Sequence, residues 1–205
     1  MFKKIILAAA LAVSAVFAQM DVSAHAAFSY GTIRTDDKVA EIDWGAGFIL
    51  GPEVKYYVNP MISVISGLEL DYRRASDDYF VEYDRYLDPD LRNYTVTETM
   101  TFMYLDIPLL LRINPVPFFF VDAGMTFGFN LSASLATEYD GNTSSDDISE
   151  SVKSFEYGLV CGLGFTVLST FEFNFRAAFG MTSMAKKIDD FNNLRLQFGI
   201  SYWTF

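Results

Sequence analysis

The chain has 205 residues and a formal net charge of −11, and Phe, Tyr and Trp make up 17% of it. An acidic chain without a basic cluster is a poor candidate for nucleic-acid binding, because that binding depends on Lys and Arg contacts to phosphate. The single cysteine, Cys161, excludes an internal disulfide. We expect it to act as a small apolar side chain without a redox or metal role.

The N-terminal residues have the pattern of a secretory signal peptide. Two lysines precede a short apolar run, and small residues then fit the rule for cleavage after Ala18. A second small-residue site leaves cleavage after Ala26 as an alternative. We therefore predict a signal peptide over 1–18 and one exported domain over 19–205.

Eight segments alternate bulky apolar residues with small or charged ones, which is the period of a β-strand. In the seventh segment, for example, phenylalanines alternate with Glu172, Asn174 and Arg176. Because Phe205 is out of phase with Tyr202, we expect a bulge or a distorted end there. The predicted strands are 28–34, which is the weakest, 42–57, 62–74, 96–113, 118–135, 155–168, 171–181 and 193–205.

The predicted connections alternate in length along the chain. Those at 58–61, 114–117 and 169–170 are tight, 35–40 is intermediate, and 75–95, 136–154 and 182–192 are longer. Short periplasmic turns that alternate with longer external loops are typical of transmembrane β-barrels. An even number of strands would place both termini in the periplasm.

These patterns predict an all-β fold, an eight-stranded antiparallel up-and-down transmembrane β-barrel in the bacterial outer membrane. A soluble β-sandwich is the alternative, since its strands also alternate. A sandwich would not need glycine-rich faces toward water. In a narrow barrel, by contrast, inward glycines leave room for long charged neighbours.

The faces opposite the bulky residues carry charges of both signs. Buried charges must be paired, since an unpaired one is strongly destabilising. We favour a salt-bridged plug that fills the lumen over a narrow ion path, because eight strands enclose only enough space for side chains. The predicted lumen charge network consists of Asp43, Glu53, Lys55, Glu69, Asp71, Arg73, Asp106, Arg112, Asp122, Glu156, Glu172, Arg176 and Arg195.

The two longest predicted loops, 75–95 and 136–154, are acidic. Oxygen ligands at close spacing suit Ca²⁺ or Mg²⁺, but the segment 140–142 lacks the full spacing of a calcium loop, which favours solvated loops. Tyrosines interleave with the charges of 75–95. That loop is interpreted either as a protein-binding surface or as a hairpin that extends the strands above the membrane.

Catalysis is not expected. Small outer-membrane hydrolases usually need a histidine base, and the only histidine, His25, lies before the first predicted strand. Neither a Gly-x-Ser-x-Gly stretch nor a phosphate loop occurs in the sequence. We therefore predict no catalytic, cofactor-binding or metal-binding residues.

Four segments resemble a known family. Residues 104–111 read YLDIPLLL, 124–133 read GMTFGFNLSA, 157–165 read YGLVCGLGF and 196–205 read LQFGISYWTF. In this order they resemble the PorT-like outer membrane β-barrel proteins, small eight-stranded barrels of Bacteroidetes-type bacteria. The resemblance covers nearly the whole mature chain. It implies an outer-membrane barrel; some members assist the type IX secretion apparatus, and most have no assigned role.

The chain ends in aromatic residues that look like the C-terminal signature of outer-membrane proteins, Tyr202, Trp203 and Phe205. This signature implies recognition by the barrel-assembly machinery. We expect a structural or interaction role for the barrel, in contact with outer-membrane lipid and lipopolysaccharide. The alternatives are a narrow porin for small solutes and an accessory component of a type IX-like secretion system.

Overall fold

The computed structural model describes residues 20–34, 44–81, 94–139, 142–186 and 192–204. Within these ranges, no helix is long and apolar enough to cross a membrane. A short 3₁₀ helix occupies Ser149–Ser151. The strands are β1 (Met20–Arg34), β2 (Gly45–Asn59), β3 (Ile62–Gly67), β4 (Glu69–Val81), β5 (Tyr94–Val116), β6 (Phe119–Tyr139), β7 (Asn142–Asp147), β8 (Phe155–Val167), β9 (Phe171–Gly180) and β10 (Asn192–Thr204).

The strands close into an eight-membered antiparallel ring. β1 pairs with β2 on one side and with β10 on the other, which joins the two ends of the sheet. β3 and β4 share one position between β2 and β5, and β5, β6, β8, β9 and β10 complete the ring in that order. β7 pairs with β6 outside the ring. The predicted eight-stranded up-and-down barrel is confirmed.

The predicted third strand is interrupted at Leu68. Pro52 of β2 and Pro108 of β5 lie beside this point, and proline has no N–H to donate to a neighbouring strand. Leu68 still donates its own N–H to the Pro52 carbonyl oxygen at 3.1 Å. The register is the same on both sides of the break. β3 and β4 are therefore one strand with a local gap in its hydrogen bonding.

β1 begins at Met20, eight residues before the first predicted strand. The segment 20–27 is rich in small and polar residues and has little apolar periodicity. It becomes a strand because it pairs with both β2 and β10, so tertiary pairing overrides the weak local pattern. His25 consequently lies inside the barrel wall, and its placement before the first strand was wrong.

A bulge in β6 reverses the two faces of the strand. Met103 pairs with Ser132 and Tyr104 pairs with Asn130, so Leu131 is an extra residue on β6. Beyond it, Ala133 is buried and Ser132 is exposed. This is opposite to the simple alternation along 118–135, because a shift of one residue exchanges the faces.

Much of the two predicted long loops is strand. β4 extends to Val81 and β5 begins at Tyr94, while β6 extends to Tyr139 and β7 follows at Asn142. The predicted bounds 75–95 and 136–154 are therefore too wide. Backbone pairing continues here, with Ala75 and Val96 still buried, whereas every residue of β7 is exposed.

Three tight connections lie at one end of the barrel, which we call the turn end: 60–61, 117–118 and 168–170. The first and last strands also meet at this end, since Val22 pairs with Thr204. The third turn is centred on Leu168 and Ser169, one residue earlier than predicted. Their φ angles of 53° and 58° are those of the primed turns that match the twist of a hairpin.

Candidate functional site in the barrel lumen

Alternation along the strands directs polar side chains into the lumen and apolar side chains outward. On β8, Glu156 is buried, whereas Leu159, Leu163 and Phe165 are 46%, 50% and 49% exposed. The same alternation occurs on β9 and β10. The outward face is thus an apolar surface of the kind that a lipid-facing barrel requires.

Twelve of the thirteen residues in the predicted lumen network are buried on inward-facing positions, and Asp43 lies outside the described residues. They form two groups of ion pairs. In the group nearer the turn end, Arg112 binds Asp122 through two hydrogen bonds of 2.7 and 2.9 Å and also contacts Glu172. Arg176 donates to Glu53 at 3.1 Å and to Asp122 at 3.4 Å.

The second group lies further from the turn end. Arg73 donates to Asp71 and to Asp106, each at 2.9 Å, and it also contacts Glu156. Arg195 contacts Asp71 and lies 3.5 Å from Asp106. Two arginines therefore share three carboxylates, all of them buried.

Aromatic rings pack against the cations near the turn end. Lys55 Nζ lies 2.5 Å from Glu172 and 3.8 Å from the centre of the Trp203 ring. The Arg112 guanidinium lies 3.5 Å above the Phe120 ring. Neither ring belongs to the predicted lumen residues. Each ring is an even number of residues away from an inward polar residue of its own strand. This spacing is the sequence feature that indicates a position in the lumen.

Inward glycines lie where charged side chains need space. A β-carbon on Gly162 would lie 2.8 Å from Arg176 Cγ, and one on Gly128 would lie 2.7 Å from Asp106 Oδ1. These separations are too short for carbon contacts, so the glycines permit the neighbouring charged groups to lie where they do. This is the packing expected for a narrow eight-stranded lumen.

A family model described as an outer membrane protein beta-barrel domain matches residues 17–186. The chain belongs to this family. It is therefore an outer-membrane β-barrel protein, in agreement with the closed ring and the apolar outer face.

Solved structures of similar fold include other outer-membrane barrels. Ail, the attachment invasion locus protein of Yersinia pestis, is 14% identical, with a TM-score of 0.50 over 90% of this chain and 99% of that one. Neisserial surface protein A is 12% identical, with a TM-score of 0.41 over 90% of this chain and 96% of that one. The likeness to Ail shows the fold alone. No curated protein sequence matches the chain.

The outer-membrane barrel has different packing at its two ends. At the turn end, the C-terminal strand turns Tyr202 outward, at 47% exposure, and Trp203 inward, at 2%. β10 alternates regularly through Thr204, and the distortion predicted at Phe205 lies outside the described residues. At the other end, an apolar cluster packs inside the mouth; its buried members are Ala75, Phe102, Tyr104, Ala133, Val152 and Met184.

Proposed function

We propose that this outer-membrane barrel is a non-conducting membrane anchor with a structural or interaction role. The filled lumen carries this proposal. Its ion pairs join strands that are not neighbours in the wall: Arg176 of β9 reaches Glu53 of β2, and Arg112 of β5 reaches Glu172 of β9. Cross-lumen pairs of this kind, flanked by aromatic rings and by an apolar mouth, support a plug rather than a path.

Conductance in planar bilayers tests the plug. We expect purified protein to give a flat current trace, because the lumen charges hold one another in place. Insertion is checked on the same sample by the shift in gel migration between boiled and unboiled protein. Reproducible single-channel steps from correctly inserted protein would favour the narrow porin and overturn the proposal.

We also infer that the protein is not an enzyme. His25 is 1% exposed and its Nδ1 lies 2.7 Å from Glu69 Oε1. A base held in this way cannot reach a substrate at the surface of the barrel. Burial and the contact with Glu69 keep His25 from acting as a base, although it lies on β1 and not before the first strand.

The topology supports a specific orientation and a specific processing site. We propose that the turn end faces the periplasm, because short turns lie there in such barrels.

We also propose that cleavage after Ala18 is preferred over cleavage after Ala26. The second cut would remove residues of β1 that pair with β2 and β10.

Each face of the barrel indicates the kind of partner that it would contact. We propose that the apolar outer face contacts lipid and lipopolysaccharide and that β10 engages the barrel-assembly machinery. In the segment 75–95, the described residues extend the β4–β5 hairpin, which we propose as the contact surface for a protein partner. An accessory role in type IX-like secretion, as in PorT-like barrels, is supported by the sequence of 104–111 alone.

A further inference from the structure

The buried charges of the lumen do not balance. The described part of the chain buries seven carboxylates but only five Lys and Arg side chains. An excess of two negative charges in a desolvated interior is unfavourable unless something compensates it. The carboxylates are Glu53, Glu69, Asp71, Asp106, Asp122, Glu156 and Glu172, and the cations are Lys55, Arg73, Arg112, Arg176 and Arg195.

Glu69 is the least compensated of these carboxylates, since Arg176 and Arg195 act on its charge only from beyond ion-pair distance. Each of the other six carboxylates lies within 4.0 Å of an Arg or Lys nitrogen. Among the described residues, the ion-pair partner of Glu69 is His25 alone, with Nδ1 2.7 Å from Oε1. The same Nδ1 lies 3.8 Å from Glu53 Oε1.

These three side chains have the composition and spacing of a metal site. One ligand atom from each of His25, Glu53 and Glu69 lies within 4.8 Å of the others. Around a tetrahedral Zn²⁺ with ligands at about 2.0–2.2 Å, neighbouring ligand atoms are about 3.4 Å apart. The observed 2.7 and 3.8 Å lie on either side of this value. The third separation, between the carboxylates of Glu53 and Glu69, is at most 4.8 Å, so side-chain movements would be needed to bring all three atoms to bonding distance.

The other ring nitrogen of His25 has the surroundings of a metal ligand. Nε2 of His25 and both amide atoms of Asn174 are buried without a hydrogen-bond partner. They approach one another across Gly199, where a β-carbon would lie 2.5 Å from Nε2 and 2.5 Å from Asn174 Oδ1. A histidine that binds a metal through Nδ1 carries its proton on Nε2 and usually donates it to an oxygen. Asn174 Oδ1 is the oxygen that faces Nε2 across Gly199, and a movement of the Asn174 side chain toward the ring would let it accept that proton.

We propose that the lumen binds one divalent transition-metal ion of the Zn²⁺ class through His25 Nδ1, Glu69 and Glu53, with Asn174 orienting the imidazole. Its two positive charges offset the two excess carboxylates. Glu53 Oε1 also accepts two hydrogen bonds of 3.1 Å from Arg176, which makes Glu53 the weakest ligand. The ion would tie β1, β2 and β4 together.

Metal content after refolding tests the site. Protein without a histidine tag is refolded in detergent with or without Zn²⁺, desalted, and analysed by elemental mass spectrometry. We expect about one Zn²⁺ per chain in the wild type and at least a tenfold loss in His25→Gln and Glu69→Gln. Glu156→Gln, which alters a buried carboxylate of the other group, should keep its metal. Wild-type protein that refolds without retaining Zn²⁺ overturns the proposal.

A second measurement needs no variant. Since His25 is the only histidine, the imidazole ¹⁵N spectrum of the wild type contains one ring and requires no assignment. Coordination at Nδ1 predicts a neutral ring that is protonated at Nε2. The ¹⁵N signals of this ring should shift when Zn²⁺ is added. A ring protonated at both nitrogens and insensitive to Zn²⁺ would contradict the proposal, and would make His25 itself the sixth buried cation.

Discussion

Replacement of Arg176 by methionine is expected to destabilise the folded barrel by about 3–5 kcal/mol, the usual result of removing one partner from a buried ion pair. Arg176 is 2% exposed and donates to Glu53 and Asp122 across the lumen. Asp122 keeps Arg112 as a partner, whereas Glu53 loses its only Arg or Lys partner among the described residues. Urea titration of the barrel in liposomes measures the change in the free energy of unfolding.

Two further variants separate the loss of the ion pair from the loss of side-chain length. Arg74→Met makes the same exchange at an exposed position of β4 and should change stability by less than about 0.5 kcal/mol. Adding Glu53→Gln to Arg176→Met removes the stranded charge and should recover part of the loss. Equal effects of Arg176→Met and Arg74→Met would argue against a buried ion network.

Leu163→Arg is expected to destabilise the barrel in a bilayer by up to about 2–4 kcal/mol, which is the cost of a cation on the lipid face at the membrane centre. Leu163 lies on the outward face of β8, between Val121 of β6 and Phe175 of β9. In a soluble protein, a charge at so exposed a position would have little effect. The same urea titration in liposomes measures the difference.

The matched control for this variant lies outside the ring. Thr143→Arg places the same side chain on the exposed strand β7 and should leave stability within about 0.5 kcal/mol of the wild type. If Leu163→Arg were as mild as Thr143→Arg, the outward face of β8 would not be in contact with hydrocarbon.

The wall of the barrel was predictable because its outer face is apolar on strand after strand. This repeated pattern predicts the number of strands, the closed ring and the inward positions of twelve charged residues. The pairing partners were not predictable. Arg176 and Glu53 are 123 residues apart in sequence, and their meeting depends on the curvature of the closed sheet rather than on either strand.

The errors lie where local pattern and pairing disagree. Residues 20–27 are too small and polar to predict a strand, so His25 was misplaced. The bulge at Leu131 leaves no mark in the sequence, since an extra residue is visible only against its partner strand. Lumen rings such as Phe120 and Trp203 were overlooked because aromatic residues were assigned to the lipid face.

Contact between the outer face and lipid can be measured at Cys161, the only cysteine, which is exposed on the outward face of β8. The folded protein in liposomes is treated with a water-soluble PEG-maleimide or with a lipid-soluble maleimide. If hydrocarbon covers this face, only the lipid-soluble reagent will label Cys161, and the PEG reagent will label it after unfolding. Thr143→Cys in a Cys161→Ser background should react with the PEG reagent at once. Labelling of Cys161 in the folded protein by the PEG reagent at that same rate would contradict a lipid-facing barrel.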